Sequence, residues 1–537
     1  MELIRKTIGE CLKECVGKNG NNPAMGSGEQ VYTWEMLERL TGYMAVRMLS
    51  ESIRKGTHVA IWSTNSPNWV IVFLALVRIG AIPVLVNTCC SRQELEQVLR
   101  YADVHDVYYG EGYKDLDYKL MVQELKESMG DQVRNWIYIG TDSREQWMTE
   151  EEFQENEKEQ NALVWLAGYE KLVHAQDTAA MLFTSGTTSR PKGVMLSHYS
   201  LLNSALETCA HMKWNREDIM LVTVPLFHCF GITSCLLSGI HTGYKMELIP
   251  YFKSRKVMES IENHQCTLLN GVPSMFLAMI RHAAFGEYNL SSLRRGIIAG
   301  SAIGAREYME IRAAIPSLVL HPSYGQTETS PCVSIGDVED TIEEQATTAG
   351  RILKHCETAV FHQGSHKPVA CGETGEICVR GYNVMQGYYQ MQKETEAVID
   401  QEGWLHTGDL GFIDQNEFLH VTGRIKEMII RGGENIYPGE IEEAISRYPG
   451  IRQVKVIGMP VDVLQEMVVA CVIADQGETI CQEELLAGLR DVLAYYKVPS
   501  YLFEFETFPV TASGKIRLEA LRQMVMERIK SVRLTGR

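Results

Sequence analysis

Residues 59–86 have the sequence VAIWSTNSPNWVIVFLALVRIGAIPVLV, and this stretch decides the fold class. It opens with a short apolar run at 59–62 and closes with a second at 82–86, and both runs are typical of buried strands. The apolar residues between them follow Pro67, which suits the first turn of a helix. The stretch therefore predicts a strand, a buried helix and a second strand, which is the βαβ unit of a parallel sheet.

The apolar part of this stretch, 69–86, is too interrupted to predict a membrane span. Arg78, Gly80 and Pro83 divide it, whereas a spanning helix needs about 20 consecutive apolar residues. Residues 1–10 lack the apolar centre of a signal peptide, and the 14 cysteines show no zinc-type spacing. We therefore expect a cytoplasmic protein with reduced cysteines and no integral membrane segment.

Composition and charge restrict the class of protein further. Of the 537 residues, 45% are hydrophobic and 22% are charged, which predicts a folded globular chain rather than a disordered one. The net charge of −17 disfavours nucleic acids as partners. The segment 145–160 is rich in Glu and Gln and predicts a solvated helix or loop. The sequence leaves the oligomeric state open.

The pattern of predicted strands and helices changes near residue 425, which indicates two domains. Before it, further strands are predicted at 179–183, 219–224 and 296–299. They indicate a large, multilayered α/β domain that contains βαβ units. After it, we predict strands at 428–430, 454–459, 467–474 and 501–505, and helices at 438–447, at 482–495 and from 515 onward. The fold class is therefore α/β, with a large N-terminal domain over 1–425 and a small α+β C-terminal domain over 426–537.

A glycine- and hydroxyl-rich segment follows the strand predicted at 179–183. It has the sequence TSGTTSRPKG at 184–193. Hydroxyl groups, backbone N–H groups beside glycine and a lysine are the groups that a polyphosphate binds. The spacing is not that of a Walker A loop, because Lys192 precedes its glycine. The residue types alone leave two interpretations open, which are a phosphate-binding loop and an exposed Ser/Thr turn.

Four further segments follow this loop along the chain. They are YGQTE at 324–328, GWLHTGD at 403–409, GRIKE at 423–427 and PVTASGK at 509–515. With the loop, they resemble the superfamily of acyl-CoA synthetases, adenylation domains and luciferases over nearly the whole chain. The segments at 225–231, 270–275 and 296–301 are most similar to its medium- to long-chain fatty acyl-CoA synthetases. The resemblance implies a mobile C-terminal domain and an ATP-dependent acid–thiol ligase. Such an enzyme activates a fatty acid as acyl-AMP, releases pyrophosphate and transfers the acyl group to coenzyme A.

The resemblance assigns many of these residues to ATP and Mg²⁺. It implies that Thr184 and Glu328 hold the metal, which prefers hard oxygen ligands, and that Glu328 is catalytic. Tyr324 would offer a flat face to adenine, Asp409 would accept hydrogen bonds from the ribose diol, and Arg424 would add a fixed cation. The implied ATP- and AMP-binding residues are Thr184, Ser185, Gly186, Thr187, Thr188, Lys192, Gly300, Ser301, Ala302, Tyr324, Gly325, Thr327, Asp409 and Arg424.

The C-terminal motifs imply a small domain that rotates between two half-reactions. Lys515 matches the catalytic adenylation lysine, a compact charge that reaches both the acid carboxylate and the α-phosphate. Lys426 occupies the hinge position. Gly432, Gly433 and Glu434 are expected on the side that receives the thiol, where glycine lets the backbone pass close to a pantetheine arm.

The acyl pocket is expected around the segment PLFHCFG at 225–231. The resemblance implies that His228 is a catalytic gate near the carboxylate, although a histidine beside aromatic residues is more often a packed structural residue. The implied wall residues are Phe230, Gly231, Gly271 and Val272. The wall segments contain no charged residue that would pair with the ammonium group of an amino acid, so we expect an apolar acid. Its chain length does not follow from the sequence, and a medium chain is the first expectation.

Three alternatives stay open at this point. An acyl carrier protein could replace coenzyme A as the thiol partner, and an aromatic or bile-type acid could replace the fatty acid. A non-catalytic acyl-binding protein is disfavoured, because Glu328, Asp409, Arg424 and Lys515 are all present. The chain also departs from the family loop, which has glycine where this chain has Ser189. Loop flexibility and ATP affinity are the properties that this departure affects.

Overall fold

The structure is a computed structural model, and it describes residues 2–140, 157–184, 191–431, 434–461, 465–475, 477–478, 480–510 and 516–535. The helices are α1 (Ile8–Asn19), α2 (Trp34–Ser50), α3 (Pro67–Arg78), α4 (Arg92–Tyr101), α5 (Tyr118–Met129), α6 (Glu157–Glu170), α7 (His198–Met212), α8 (Cys229–Gly231), α9 (Ser238–Thr242), α10 (Ser254–His264), α11 (Pro273–Ile280), α12 (Ala305–Ala314), α13 (Ile342–Thr347), α14 (Gln392–Glu396), α15 (Pro438–Ser446), α16 (Gln482–Val492) and α17 (Leu518–Thr535).

The strands outnumber the helices and form four main sheets. They are β1 (Pro23–Ser27), β2 (Gln30–Thr33), β3 (His58–Trp62), β4 (Ile82–Leu85), β5 (Asp106–Tyr109), β6 (Gly112–Tyr113), β7 (Leu116–Asp117), β8 (Asn135–Tyr138), β9 (Thr178–Thr184), β10 (Lys192–Ser197), β11 (Ile219–Val222), β12 (Lys245–Leu248), β13 (Leu268–Leu269), β14 (Arg295–Ile298), β15 (Val319–Tyr324), β16 (Ser334–Ile335), β17 (Arg351–Ile352), β18 (Cys356–Phe361), β19 (Gly375–Gly381), β20 (Gly387–Tyr388), β21 (Leu405–Ile413), β22 (Leu419–Arg424), β23 (Ile429–Arg431), β24 (Glu434–Ile436), β25 (Ile451–Val461), β26 (Gln465–Ala474) and β27 (Tyr501–Glu504).

The βαβ unit predicted at 59–86 is confirmed. Strands β3 and β4 pair in parallel, and α3 connects them. The Ser66 side chain accepts a hydrogen bond from the backbone N–H of Trp69, and Pro67 takes the first turn, so both residue types suit the start of this helix. Every residue of α3 is buried, which explains why it is apolar on all faces. Its buried Arg78 forms ion pairs with Glu38 and Glu170.

Two large sheets build the N-terminal body. One has the strand order β20-β10-β9-β4-β3-β5-β8, and the other has the order β17-β16-β15-β14-β13-β11-β12-β1-β2. A single hydrophobic cluster contains residues of both sheets, for example Ile61 of β3 and Val222 of β11. The strands predicted near 179, 219 and 296 are confirmed as β9, β11 and β14. The body therefore has the multilayered α/β architecture that the sequence predicts.

Two smaller sheets complete the fold. The order β18-β19-β21-β22 forms the first, and β24-β23-β26-β25 with β27 beside β26 forms the second. The second sheet packs against α15, α16 and α17, which confirms the small α+β unit. Strand β25 is longer than predicted because its edge pairs with β26 along almost its whole length. Helix α17 begins at Leu518, three residues later than expected.

Among the described residues, no helix combines the length and the apolar character that a membrane crossing needs. Most of the Glu- and Gln-rich segment 145–160 lies outside the described residues, and its last residues belong to α6.

Candidate active site

The predicted phosphate loop connects two adjacent strands of the seven-stranded sheet. Thr184 ends β9, and Lys192 begins β10 directly opposite it in the antiparallel register. The Lys192 ammonium lies 4.4 Å from the centre of the Tyr388 ring, which is a cation–π contact. The predicted residues Ser185, Gly186, Thr187 and Thr188, and Ser189 with them, lie outside the described residues.

Glu328 lies in a short 3₁₀ turn, Thr327–Thr329, that follows β15. Only 9% of the residue is exposed, and the Tyr388 hydroxyl donates a hydrogen bond of 3.0 Å to its Oε1 atom. Burial and the adjacent Glu328 charge raise the pKa of Tyr388, so the hydroxyl keeps its proton as a donor. Strand β10 packs against this turn. Tyr388 therefore connects the carboxylate of Glu328 with the ammonium of Lys192.

Asp409 joins two more of the predicted residues. Its Oδ2 accepts a hydrogen bond of 2.9 Å from the Tyr324 hydroxyl, and its Oδ1 lies 2.9 Å from Nε of Arg424. The residue Asp409 is 4% exposed, and Arg424 faces it across the β21–β22 pair. Burial first and the Asp409 charge second raise the pKa of Tyr324 well above its ordinary value. The same charge raises the pKa of Arg424. Tyr324 and Arg424 thus both contact the Asp409 carboxylate and form one cluster with it.

Two glycines shape the turns that carry these side chains. Gly325 follows Tyr324, and a Cβ atom there would overlap the carbonyl oxygen of Pro331. Gly300 lies two residues beyond the end of β14 and has a φ of +87°, a region that favours glycine. Ser301 and Ala302 after it are exposed, and the nearest side-chain atom to a Gly300 Cβ would be in Val272. The adenine turn and the acyl wall that the sequence predicts are thus neighbours.

The predicted acyl segment begins at the N-terminal end of an unusual helix. His228 precedes α8, a π-helical segment follows at Ile232–Leu237, and α9 completes the helix. Such π-helical segments occur frequently at functional sites. The His228 ring lies 4.5 Å from Phe227, centre to centre. Burial raises the pKa of the Cys229 thiol to about 12.

Two glycines in these segments pack closely against neighbouring residues. A Cβ atom at Gly231 would overlap the carbonyl oxygen of Pro225, and one at Gly271 would lie 3.0 Å from the Phe276 ring. Val272 is buried and Phe230 is half-buried. The four predicted wall residues are therefore on two segments, 225–231 and 270–272, that border the two-sheet body.

The C-terminal predictions are described only in part. Lys426 lies in the 3₁₀ turn Ile425–Glu427 between β22 and β23. Gly432, Gly433 and Lys515 lie outside the described residues, and Glu434 begins β24. Residues Val510 and Ile516 on either side of the lysine segment form an antiparallel bridge.

Tyr388 and Thr407 are site neighbours that the sequence did not single out. Thr407 accepts a hydrogen bond from the backbone N–H of Asp409 and donates one to the carbonyl of Ile377. Tyr388 is 60 residues from Glu328 along the chain, and a tyrosine among apolar residues ordinarily indicates core. No local pattern signals that contact, whereas Thr407 lies inside the GWLHTGD motif and was within reach of sequence reasoning.

A large α/β body with these clusters, followed by a small α+β domain, defines the class of adenylate-forming enzymes. Residues 12–389 match the family model described as AMP-binding enzyme, and residues 440–515 match the model of the AMP-binding enzyme C-terminal domain. The chain belongs to the AMP-binding enzyme family.

Two named relatives indicate which kind of AMP-binding enzyme this chain resembles. YngI of Bacillus subtilis (strain 168), named as a candidate acyl-CoA synthetase, is 34% identical over 553 residues, with 98% of each chain covered. The mitochondrial medium-chain acyl-CoA ligase ACSF2 of Rattus norvegicus is 31% identical over 547 residues, covering 98% of this chain and 89% of the relative. The chain is therefore an adenylate-forming acyl-CoA ligase by family.

Solved structures with the same fold contain the nucleotide or the acyl-adenylate. ATP-bound MatB from Rhodopseudomonas palustris is 25% identical with a TM-score of 0.82, and 97% of this chain and 99% of that one are covered. The o-succinylbenzoate CoA synthetase MenE from Bacillus subtilis, in complex with OSB-AMP, is 25% identical with a TM-score of 0.78, covering 97% and 99%. Ligases of this family use ATP, Mg²⁺ and coenzyme A with a carboxylic acid.

Proposed function

We propose that this ligase activates a medium-chain fatty acid as acyl-AMP and transfers the acyl group to coenzyme A. The supporting observation is that the segments predicted to form the acyl wall carry no charged side chain. Segments 225–237, 270–275 and 296–302 contain no Asp, Glu, Lys or Arg. Most of their apolar side chains are buried. An apolar acyl chain gains from such a wall, whereas an amino-acid ammonium group would lose its hydration without a partner.

The proposed chemistry of the first step is charge neutralisation and positioning. The acid carboxylate attacks the α-phosphorus of ATP, an acyl–phosphate bond forms, and pyrophosphate leaves with the electron pair of the broken bond. Negative charge gathers on the phosphate oxygens, so cations placed in advance lower the barrier. Lys192 and Lys515 are the proposed cations, and His228 is the proposed gate beside the carboxylate.

Glu328 suits the role of a magnesium ligand. Its carboxylate offers hard oxygen atoms, it is buried, and the Tyr388 hydroxyl fixes one of those oxygens. When bound, Mg²⁺ would neutralise charge on the transferred phosphates. Thr184, at the end of β9, is the second proposed ligand.

The Tyr324–Asp409–Arg424 cluster is proposed to hold the nucleoside. Asp409 would accept hydrogen bonds from the ribose hydroxyls, while Tyr324 and Arg424 fix the orientation of its carboxylate. The turn Gly300, Ser301 and Ala302 would cover the other side of the base. Gly325 and Thr327 would keep the Tyr324 and Glu328 turns in place.

The thiol half-reaction is assigned to the C-terminal unit. We propose domains 1–425 and 426–537 with a hinge at Lys426, and Gly432, Gly433 and Glu434 beside the incoming thiol. Hydrophobic clusters support this boundary, because no cluster among the described residues crosses it. The clusters of the body end at Leu419, and those of the small unit begin at Ile429. The cytoplasmic location also stays a proposal, and it rests on the scattered thiols.

A panel of acids tests the substrate. ATP–pyrophosphate exchange measured with C4 to C16 fatty acids, benzoate-type acids and a bile acid should give the highest kcat/KM for a medium-chain fatty acid. A benzoate-type acid that exceeds every fatty acid by tenfold would contradict the fatty-acid proposal, and MenE makes that a real competitor. Exchange with none of the acids would favour a non-catalytic protein.

The same acids then test the thiol partner. Thioester formation is measured with coenzyme A and, separately, with phosphopantetheinylated acyl carrier protein at equal thiol concentration. Coenzyme A should be acylated faster. Acylation of the carrier protein alone would replace coenzyme A as the acceptor and leave the adenylation step intact.

A further inference from the structure

A histidine–aspartate cluster, formed by His366, Asp400 and His406, lies outside the groups used above. Nδ1 of His366 and Nε2 of His406 each lie 3.4 Å from Oδ2 of Asp400. All three ligand-type atoms are within 4.8 Å of one another. His406 belongs to β21, Asp400 precedes that strand, and His366 lies in the turn after β18. Three chain segments therefore present one potential metal ligand each to the same point.

The spacing fits a metal ion better than a hydrogen bond. Ligands bound at about 2.0–2.2 Å in a tetrahedron are separated by about 3.3–3.6 Å from one another. A charge-assisted histidine–carboxylate hydrogen bond is shorter, and His420 and Asp414 in the same sheet show that case at 2.9 Å. The two 3.4 Å separations on Asp400 are thus those expected around a shared cation.

Asp400 is fixed in the orientation that a ligand needs. Its Oδ1 accepts backbone hydrogen bonds from Glu402 at 2.8 Å and Trp404 at 2.9 Å. Its Oδ2 is buried and has no hydrogen bond within the part of the chain that the structure describes. A buried carboxylate oxygen without a hydrogen bond costs free energy, and a cation between the two imidazoles removes that cost.

The second ring nitrogen of a metal-bound histidine ordinarily donates a hydrogen bond to a carboxylate or carbonyl group, and His406 has such a contact. Its Nδ1 lies 2.9 Å from Oε2 of Glu376, so the Nδ1 proton is donated there and the lone pair of Nε2 points toward Asp400. Without a cation, this lone pair and the Oδ2 lone pairs would face each other across 3.4 Å. A second proton on His406 is the competing way to relieve the repulsion, and the experiment below separates the two.

We propose that His366, Asp400 and His406 bind a divalent transition-metal ion of the zinc class, with water as the fourth ligand. Two imidazoles and one carboxylate are the donor set that such ions accept. The His366 side chain is 52% exposed, so the ion has a route from solvent. Ring contacts with Phe361 and His406 hold His366 in place.

The proposed ion would stabilise β21, the strand that carries Asp409. It connects the turn after β18, the loop before β21 and β21 itself. Glu376, which positions His406, also accepts a hydrogen bond from the backbone N–H of Gly408 through Oε1 at 3.2 Å. Gly408 directly precedes Asp409, so the ion and the proposed ribose carboxylate share one support. The role is structural, and it does not depend on which acid the ligase activates.

A second possible metal site shares His406 with the proposed one but predicts different effects of substitution. Glu376, Cys378 and His406 also cluster, but they would use Nδ1 of His406, which lies 3.4 Å from the Cys378 sulfur. A metal there would displace the Glu376 hydrogen bond and would not need His366. Substituting His366 or Cys378 therefore separates the two sets.

The test uses the full-length protein, stripped with chelator and kept in a non-thiol reductant. The Zn²⁺ bound at equilibrium is counted by elemental analysis after dialysis. In a separate sample, Co²⁺ is added and its visible absorption is recorded. Thermal unfolding is then followed with and without Zn²⁺. Wild type should bind one equivalent more than His366→Gln, show tetrahedral Co²⁺ bands and gain in melting temperature. Cys378→Ser should behave as wild type.

The outcomes decide the proposal in either direction. Equal metal content and equal melting shifts in wild type and His366→Gln would overturn it and would leave protonation of His406 as the explanation. Loss of the ion in Cys378→Ser but not in His366→Gln would overturn it in favour of the second set. Asp400→Asn gives an independent measurement, because it keeps the side-chain volume and removes the charge. Retention of the ion in Asp400→Asn would also overturn the proposal.

Discussion

At the scale of single residues, Asp409 shows that sequence motifs can predict which residues form a site. Its contacts with Tyr324 and Arg424 lie within three motifs that were quoted from the sequence alone, so the residues were predictable even though their distances were not. Tyr388 and the cluster of His366, Asp400 and His406 were not predictable. Tyr388 lies 60 residues from Glu328 along the chain. His366 follows β18 whereas His406 lies in β21, so the packing of separate strands brings these groups together.

Substitution of Tyr388 by Phe tests the link between Glu328 and Lys192. The change keeps the ring that Lys192 contacts and removes only the hydrogen bond to Glu328. A hydrogen bond to a charged group contributes about 1.5–3 kcal/mol. We expect kcat/KM for ATP in the exchange reaction to fall about tenfold, with a higher Mg²⁺ requirement, because the carboxylate loses its fixed orientation.

Tyr389 supplies the matched control for this variant. Its hydroxyl contacts the exposed side chain of Gln390, so Tyr389→Phe should leave exchange within twofold of wild type. Equal activity of both variants at all Mg²⁺ concentrations would show that the Tyr388 hydroxyl does not support the metal ligand.

Lys515 is tested by separating the two half-reactions. Lys515→Ala should lower ATP–pyrophosphate exchange by about 10²–10³-fold, because a cation is lost where charge develops. The same variant, supplied with synthetic acyl-AMP and coenzyme A, should form thioester at close to the wild-type rate. Near-normal exchange would remove Lys515 from the proposed adenylation step.

Strands and helices were predicted well where the apolar pattern was local. The βαβ unit at 59–86 and the order of elements in the small domain follow from β-branched runs and from Pro67 and Pro438 at helix starts. The division of the body into a seven- and a nine-stranded sheet was not predictable. Neighbouring strands in those sheets, such as β1 and β12, are separated by over 200 residues, so no short-range pattern encodes their pairing.

Gly325→Ala probes the turn between β15 and Glu328. The added Cβ would overlap the Pro331 carbonyl, which is backbone and cannot rotate away. Overpacking of this kind costs about 1–3 kcal/mol, and relief would displace Tyr324 or Glu328. We expect a lower free energy of unfolding in urea and a parallel loss of exchange activity.

Gly17→Ala is the control, because a Cβ at this position in α1 meets no atom within 4 Å. Alanine in a helix interior should raise the free energy of unfolding by about 0.5–1 kcal/mol. A Gly325→Ala variant as stable as wild type would show that the turn adapts, and the tight approach would then not constrain the site.

At the scale of the whole molecule, one polar contact joins the large body to the small domain. Arg306 of α12 reaches the small domain, where Nη2 lies 2.8 Å from Oδ2 of Asp475 and Nη1 donates to the carbonyl of Ile451. Both side chains are partly exposed, so the pair contributes about 0.2–1 kcal/mol. An energy of that size barely affects folding, but it is enough to shift an equilibrium between two domain orientations severalfold.

Arg306→Ala therefore tests the proposed domain rotation. The variant should melt within about a degree or two of wild type, since an exposed ion pair adds little to stability. Its two half-reaction rates, exchange and thioester formation from supplied acyl-AMP, should change by different factors, because the lost contact stabilises one orientation of the small domain over the other. Arg255→Ala is the matched control, since Arg255 forms an exposed ion pair with Glu259 within α10 of the large body. If both variants leave the ratio of the two rates unchanged, the Arg306 contact does not set the orientation, and the hinge at Lys426 would need a different restraint.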